Sequence, residues 1–473
     1  MRVLLWLLVL LLLCGVGKPL LPSTEHLKEQ FESTFHAQCD KYAFVHTWYR
    51  NLEAPSDRFF VFVYSENGLR NGGFGDRYGG IVSAAASALR FNRTLLIESV
   101  NGFDKLFQPY YYNPSGNKKL SDFRHAYVKS NWTTWTKYNI SLSNNDNTEY
   151  DLWMCISNPH TMDKCGLDNG DVTHPIIKLR GNRAYMCKWC SKRDTVAYGE
   201  LKKLGLCTED EHENMWEEAG CMTRLAMWPT DTLWEEVEKE LVIMAKKAII
   251  NSTKLDEIHL TQENVAGEHI NNINFTTRIG VHFRCGDIAF THPEKAHTSC
   301  IVNEQNEIEL RRWGSPIDIG RCAMELYKNM THDTNDRYHN NVMQIRHRGH
   351  YRRLSHHVDN SVLLLVTSDY PGSSDQMQEY ASFPITYIAP DSCHIERDGS
   401  EICNTNTVVY WFILSLSDII ITQTENQSPT SGYSRSAAIY GLKNNSVRSG
   451  LQCASSLSHV ALSKKQSGNW ICA

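Results

Sequence analysis

The sequence has no surplus of basic charge and no extended polar tract. Its 473 residues carry a formal net charge of −5, with 41% hydrophobic and 21% charged residues. This balance excludes an intrinsically disordered chain. It also lacks the strongly basic character expected of a nucleic-acid-binding protein, so we expect no nucleic-acid partner. A chain of this length is long enough to bury the cores of two or three domains.

Several short catalytic motifs are also missing. No Asp-x-Asp triplet occurs, and no group of His, Asp and Glu has metal-site spacing, so we expect no Mn²⁺ or Mg²⁺ holding a diphosphate. The absence of a G-x-S-x-G nucleophile elbow disfavours an α/β-hydrolase. A dinucleotide fingerprint that starts at Gly73 fails, because Tyr78 stands at its last glycine position.

Residues 1–17 have the features of a leader. Arg2 precedes an apolar run from Val3 to Val16, which is shorter than the roughly 20 residues of a membrane-spanning helix. We predict a cleaved signal peptide, with a short signal anchor as the alternative. Either one places the remaining chain in the lumen of the secretory pathway. We expect the Golgi, with the endoplasmic reticulum or secretion as alternatives, and membrane contact only through such an anchor.

The cysteine count fits that compartment. The chain has 15 cysteines, and removing Cys14 with the leader leaves 14, an even number that permits up to seven disulfides. Cys187 and Cys190 form a CxxC pair that a zinc half-site or a redox motif would also use, although we expect structural disulfides. A glycoprotein is expected too, since N-x-S/T sequons stand at Asn92, Asn131, Asn139, Asn251, Asn274, Asn329, Asn426 and Asn444.

The apolar pattern predicts an α/β fold. A buried strand from Phe59 to Tyr64, a glycine-containing loop, a helix from Tyr78 to Phe91 and a strand from Thr94 to Glu98 make a βαβ unit. A second series of strands and helices begins at Arg278. The simplest architecture is therefore two Rossmann-like halves.

The stretch between these two series has weak periodicity. From residue 102 to residue 244 it is rich in Trp, Tyr and Cys, which predicts insertions and disulfide-stapled loops. We predict that residues 18–274 form an N-terminal Rossmann-like domain with these insertions, on the acceptor side. Residues 275–473 are predicted to form a C-terminal Rossmann-like domain that binds the donor.

Polar residues follow the predicted strands, at the edge where parallel sheets bind ligands. In the first half, Gly73 and Gly75 would let backbone N–H groups approach a phosphate at a helix start, and Asp76 and Arg77 add an acid and a cation. A purely structural glycine turn is the alternative.

Two loops of the second half have the same character. His282 and Arg284 fall on one side of a strand, and the planar fork of arginine suits a phosphate. An ion pair between Arg284 and Asp287 that closes the loop is the alternative. Later in the chain, Ser431 and Ser434 would form another anion site, with helix capping as the alternative.

Three of these segments resemble motifs of one family. The run from Gly72 to Arg77 resembles the amino-terminal motif of the GDP-fucose-dependent fucosyltransferases, the superfamily that includes the α1,2, α1,6 and protein O-fucosyltransferase types. The run from Ile279 to Arg284 is similar to their first donor motif, and Leu414 to Thr422 with Ser431 to Ser434 resembles their last. Many members carry asparagine where Asp76 stands, and the α1,6 type has a second arginine where Cys285 stands.

The resemblance implies a GT-B fold, with two Rossmann-like domains facing a cleft, and an inverting, metal-independent transfer of fucose. Arg284 would contact the donor β-phosphate, and Asp76 or Asp287 would be the general base, with a preference for Asp76. GDP-fucose would be the donor, a glycan or glycoprotein the acceptor, and no cofactor is expected. The expected donor-binding residues are Gly73, Gly75, Arg77, His282, Arg284, Asp369, Ser431 and Ser434.

Two other functions stay open at this point. A GT-B transferase that uses a different nucleotide sugar would need the same anion-binding loops. A secreted glycan-binding protein that has lost catalysis would keep the fold, although Arg284 and the glycine motif are both intact.

Overall fold

The computed structural model describes part of the chain. The described residues are 24–53, 59–63, 73–98, 103–110, 147–151, 176–180, 190, 196–207, 215–253, 275–283, 319–326, 361–368, 386–388, 400–422, 424–425, 428–429, 432–443 and 447–449. The leader at residues 1–17 lies outside them, so its cleavage stays a prediction. Of the sequons, Asn92 and Asn251 are described, and Asn92 is exposed in the turn after a helix.

The first sheet is parallel and has the strand order β2-β1-β5-β4. Its strands are β1 (Phe59–Val63), β2 (Thr94–Glu98), β4 (Asn147–Asp151) and β5 (Ile176–Arg180). Phe60 and Ile97 are almost fully buried, as expected of parallel strands that helices cover. A two-stranded antiparallel pair, β3 (Phe107–Gln108) with β6 (Trp228–Pro229), lies outside this sheet.

The second sheet is also parallel, with the order β13-β10-β7-β8-β9. Its strands are β7 (Phe275–Phe283), β8 (Ser361–Ser368), β9 (Thr386–Ile388), β10 (Ile419–Thr422) and β13 (Val447–Ser449). A second antiparallel pair joins β11 (Thr424–Glu425) to β12 (Ser428–Pro429). The α/β class and both parallel sheets are therefore observed, whereas the division into two domains at residues 274 and 275 stays a prediction.

Helices pack between and around these sheets. They are α1 (Thr24–Cys39), α2 (Ala43–Glu53), α3 (Phe74–Arg90), α4 (Phe103–Leu106), α5 (Val196–Lys203), α6 (Met215–Ala226), α7 (Asp231–Thr253), α8 (Glu401–Leu416) and α9 (Gly432–Tyr440). Residues 319–326 are helical as well. Among the described helices, none combines the length and apolar character needed to cross a membrane.

Two sequence-based expectations are corrected here. The stretch from 102 to 244 is more than insertions, because β5 lies beside β1 inside the first sheet and α6 is a buried helix. Lys178 and Arg180 interrupt the apolar run Ile176–Arg180, so it lacks the continuous apolar pattern of β1, and its pairing with β1 and β4 identifies it. The glycine motif is also less of a loop than expected, since α3 begins at Phe74.

Two hydrophobic clusters fill the molecule. The shared core joins side chains from both sheets, such as Phe60 and Ile97 of the first and Leu365 and Ile420 of the second, with residues of the helices between them. The far core lies on the other face of the second sheet and consists of Ile279, Val281, Phe283, Ile319, Cys322, Ala323, Leu364, Val366 and Ile421. Along β8 and β10, consecutive residues alternate between the two cores, as strand geometry requires.

All six cysteines in the described part of the chain are disulfide-bonded. Cys39 of α1 is bonded to Cys221 of α6, and Cys190 is bonded to Cys207. Cys322 and Cys403 are also in disulfides. The bond to Cys207 rules out a zinc half-site or a redox pair between Cys190 and Cys187 in this structure. The Cys39–Cys221 bond closes a loop across a sequence separation of 182 residues, which restricts the unfolded chain strongly.

Candidate functional site

The carboxyl ends of three neighbouring strands place polar residues in one row. His282 at the end of β7 is in register with Thr367 of β8 on one side and with Thr422 of β10 on the other. His282 and Thr367 are buried, and the Thr367 hydroxyl donates to the Val281 carbonyl over 3.1 Å. The predicted His282 position at a buried strand end is therefore confirmed.

The two faces of β7 have different neighbours. Ile279, Val281 and Phe283 belong to the far core. Gly280 and His282 point the other way, toward α8 and α9. A Cβ on Gly280 would come within 2.6 Å of both the Leu414 side chain and the Ser417 hydroxyl, so glycine lets α8 lie close against the strand. This close contact places His282 near the end of α8 and the start of α9.

The first turns of α3 and α9 touch each other. A Cβ on Gly75 would overlap the carbonyl group of Gly432 and the amide nitrogen of Tyr433, so only glycine permits this contact. The helix α3 comes after the parallel strand β1, and α9 comes after the parallel strand β10 with the antiparallel pair β11 and β12 between them. Two helix N-termini, each with the positive end of a helix dipole, therefore meet at one place that favours an anion.

The start of α9 also contacts His282. The Tyr433 ring lies 4.9 Å from the His282 ring, centroid to centroid, with 34° between the ring planes. Its hydroxyl donates to the Thr407 carbonyl of α8 over 2.8 Å, and burial raises the pKa of Tyr433 well above its ordinary value. The phenol therefore stays protonated and fixes its ring beside the histidine. Ser434, the next residue, is buried with 1% exposed.

Arg77 belongs to the first turn of α3, and Gly73 directly precedes that helix. The Arg77 amide donates to the Gly73 carbonyl over 3.2 Å, and the Arg77 side chain is buried with 4% exposed. A buried arginine one turn into α3 adds positive charge near the two helix starts. Gly75, His282 and Ser434 of the predicted set thus lie where α3, α9 and β7 meet, with Arg77 two residues after Gly75 in α3.

The other predicted site residues are not placed in this way. Arg284, Asp287, Asp369 and Ser431 lie outside the described residues, and Asp76 is known only as a position in α3. Their roles stay predictions. Within the described residues, no group of three or more His, Cys, Asp and Glu side chains could hold a metal ion, and the expectation of a metal-independent reaction stays a prediction too.

The sequence pattern does not single out two residues of this site. Tyr433 lies within the last of the three motifs, and Thr407 lies in none of them. An aromatic residue directly before a buried serine at a helix start was a usable signal for Tyr433. Thr407 contributes its backbone carbonyl as an acceptor, and no sequence pattern predicts such a contact.

We compared the chain with protein families, with curated proteins and with solved structures. No protein-family model matches the chain, and no curated protein does. Among solved structures, it is similar to Arabidopsis thaliana FUT1, a mutant in complex with GDP, at 15% identity over 88% of this chain and 76% of that chain, with a TM-score of 0.40. It is also similar to the NodZ α-1,6-fucosyltransferase soaked with GDP-fucose, at 14% identity over 81% and 93%, with a TM-score of 0.36. Another structure of the fucosyltransferase NodZ, from Bradyrhizobium, has 15% identity over 81% and 93% and a TM-score of 0.34. Similarities of this size carry no residue role over to this chain.

Proposed function

We propose that this protein is an inverting, metal-independent glycosyltransferase that moves fucose from GDP-fucose to a glycan or glycoprotein. The observation that carries the proposal is the contact between the N-termini of α3 and α9 beside His282 and Ser434. This place has positive dipole ends, a buried arginine and hydroxyl groups, and so suits a diphosphate. The sugar and the base are assigned by the motif resemblance, with GDP as the leaving group.

The leaving diphosphate gains negative charge as the bond to fucose breaks. In our proposal Arg284, which directly follows the last residue of β7, binds the β-phosphate, while N–H groups of α3 and α9 bind the remaining oxygens. Donors that are already in place cost no reorganisation during the reaction, which is why they lower the barrier. These groups would do the work that a divalent cation does in other transferases.

The acceptor hydroxyl must lose its proton during the transfer. We propose Asp76 or Asp287 as the general base, and we favour Asp76 because α3 belongs to the half that would receive the acceptor. A carboxylate in such a role must lie within hydrogen-bond distance of the hydroxyl in the complex. Asp76→Asn and Asp287→Asn identify the base, because only one of them should abolish transfer while GDP binding persists.

We propose that the protein works in the lumen of the secretory pathway, in the Golgi. The disulfides at all six described cysteines support an oxidising compartment. Imaging of the full-length protein with Golgi markers tests this location. The amino-terminal residue of the mature chain tests whether the leader is cleaved.

The central test is Arg284→Ala. Loss of a transition-state donor typically costs about 10²- to 10³-fold in kcat, so we expect GDP-fucose turnover to fall at least that far while the thermal midpoint stays close to wild type. Arg278→Ala is the matched control, because Arg278 lies on β7 far from His282 and pairs with Asp418 over 3.2 Å. The control should lose stability and keep turnover.

A panel of nucleotide sugars decides between donors. Turnover with GDP-fucose supports the proposal. Turnover with a different nucleotide sugar and none with GDP-fucose would overturn the choice of donor, and folded protein that binds neither GDP nor any nucleotide sugar would overturn the enzyme itself.

A further inference from the structure

Arg224 is a fully buried arginine that binds two helices from within the shared core. Its Nε donates to the Tyr440 carbonyl over 2.7 Å, and its Nη1 donates to the Phe31 carbonyl over 3.0 Å. Its guanidinium carbon lies 3.8 Å from the centroid of the Phe31 ring. Tyr440 is the last residue of α9, so Arg224 of α6 binds the end of α9 opposite to Ser434.

The arginine keeps its charge in this environment. Burial lowers the pKa of Arg224 to about 10, with Tyr440 and Tyr78 opposing the effect, so the group is a cation at neutral pH. Among the described residues, no carboxylate lies within ion-pair distance of it. The carbonyl end of α9 and the face of the Phe31 ring stabilise the charge instead.

Burying a cation costs more free energy than burying an apolar side chain of the same size. An apolar side chain of similar volume would pack here without the loss of hydration. What an apolar residue cannot supply is a rigid fork that holds two carbonyls from different helices in fixed directions. The arrangement therefore has a positional role that packing alone does not explain.

Other residues of the first half hold α9 along its length. A Cβ on Gly220 of α6 would overlap the Ile439 carbonyl, and the Tyr440 hydroxyl donates to the Met227 carbonyl over 2.5 Å. At the other end, Gly75 touches Gly432. The first half of the chain thus determines the position of a helix that belongs to the second half.

We infer that Arg224 is a positioning residue for the donor site. By holding the Tyr440 carbonyl, it sets where α9 lies along its own axis, and so where Tyr433 stands beside His282 and where Ser434, the next residue, lies. Ser434 lies six positions before Tyr440, which is about 9 Å along the helix, so Arg224 acts through α9 without touching the donor. The inference rests on the proposed function, since it assumes that the start of α9 binds the diphosphate of GDP-fucose.

Arg224→Lys tests the inference, with Arg93→Lys as the matched control. Arg93 is equally buried, with 1% exposed, and stands in the turn between α3 and β2. Its guanidinium carbon lies 5.1 Å from the centroid of the Phe60 ring of β1. Both substitutions keep a positive charge and remove a fork, so both should lower the thermal midpoint. The Kd for GDP is measured by calorimetry, and KM and kcat for GDP-fucose by turnover, at a temperature where all variants are folded.

We expect Arg224→Lys to raise the Kd for GDP and the KM for GDP-fucose about tenfold, the size of a lost charged hydrogen bond, with a smaller fall in kcat. Arg93→Lys should leave both constants near wild type. Equal shifts in the two variants, or no shift in either, would show a merely structural role and overturn the inference.

A milder variant covers the case in which Arg224→Lys does not fold. Phe31→Leu removes the ring beneath the guanidinium and keeps the two carbonyl bonds, and should weaken GDP binding about threefold. Unchanged binding in folded Phe31→Leu would also overturn the inference. If wild-type protein fails to bind GDP, the proposed function itself is wrong; if wild type binds and the variants match it, only the positioning role is wrong.

Discussion

The two faces of the second sheet are covered in different ways. On one face, the far core unites strand residues with the helical residues 319–326. On the other face, α8 and α9 belong to the shared core, which also contains α3, α6 and the first sheet. Helices that connect strands of the second sheet are therefore packed by the first half. The candidate site lies where these two parts of the chain meet, which makes its geometry depend on both.

Close backbone contacts determine where α9 lies more than side-chain volume does. Gly75, Gly220 and Gly441 each lie where a Cβ would overlap a carbonyl of α9 or α8. Backbone-to-backbone contacts of this kind leave no room for a small shift. A site built between two such helix starts should be rigid, and substitutions in the shared core should affect it more than substitutions in the far core.

The largest effect should come from Gly75→Ala. Its Cβ would overlap Gly432, so α3 and α9 must separate, at a cost of about 3 kcal/mol in the free energy of unfolding or more. Gly199→Ala is the control, because a Cβ at this exposed position in α5 has nothing within 4 Å. That control should gain up to about 1 kcal/mol from helix propensity. Denaturant unfolding measures both, and a stable Gly75→Ala variant would contradict the close contact.

The next effect concerns a buried carboxyl of α6. Glu218 is fully buried, and neither carboxyl oxygen has a partner of good hydrogen-bond geometry among the described residues. Burial raises the pKa of Glu218 to about 8, with the Cys207 backbone opposing the shift. The folded state therefore binds a proton that the unfolded state releases near its ordinary pKa. The contribution of this bound proton to the free energy of unfolding is complete below the ordinary pKa of the carboxyl. It is lost as the pH rises toward 8.

Glu218→Gln should remove this pH dependence. We expect the variant to be more stable than wild type at pH 8, by on the order of 2 to 4 kcal/mol, and similar to it at pH 5. Denaturant unfolding at the two pH values measures the difference. Glu217→Gln is the control, because Glu217 pairs with Lys41 over 2.5 Å and the variant, which loses this ion pair, should lose stability instead. A parallel pH profile for wild type and Glu218→Gln would contradict the prediction.

A smaller effect should separate the two cores directly. Phe412 lies in the shared core, with ring centroids 5.6 Å from Phe31 and 4.9 Å from Trp234, whereas Phe283 lies in the far core. Because aromatic pairs add about 0.5 to 1.5 kcal/mol each, Phe412→Leu should cost roughly 1 to 2 kcal/mol more than Phe283→Leu. Calorimetric unfolding measures both variants, and equal losses would remove the distinction between the cores.

The smallest effect should come from an exposed ion pair between the two parts of the chain. Lys105 of α4 lies 2.5 Å from Glu401 of α8, and both side chains are more than half exposed. Exposed pairs contribute about 0.2 to 1 kcal/mol and weaken with salt. Lys105→Ala should therefore lower stability by no more than that, and the loss should vanish in high salt. A larger, salt-independent loss would show that this contact matters as much as the shared core does.

Much of the sheet structure was predictable, and the reason is local. Phe59–Val63, Thr94–Glu98 and Ile419–Thr422 are short runs of apolar and β-branched residues, which a buried parallel strand requires. Helix ends were predicted less well. The continuous apolar run of α8 starts only at Val408, whereas the helix begins at Glu401, with the Ser400 hydroxyl accepting from the Cys403 amide. That first turn carries polar residues, so hydrophobic periodicity does not reveal it.

The candidate site divides in the same way. His282 and Ser434 could be selected from sequence because each follows or starts an element with a strong local pattern. Arg77 and Gly75 were selected as parts of a phosphate loop, whereas the structure shows them in a helix. Gly75 is needed for its contact with Gly432, and its backbone has the conformation of an ordinary helical residue.

By itself, the sequence determined the α/β class, the two series of strands and the polar residues at their ends, because strand and helix periods are written in neighbouring residues. The tertiary structure alone decided that β5 stands beside β1, that Cys190 bonds to Cys207, and that α9 packs on α3 and α6. Pairings of this kind join residues far apart in the chain. They depend on how surfaces fit in three dimensions, and the local order of residues does not encode that fit in any readable pattern.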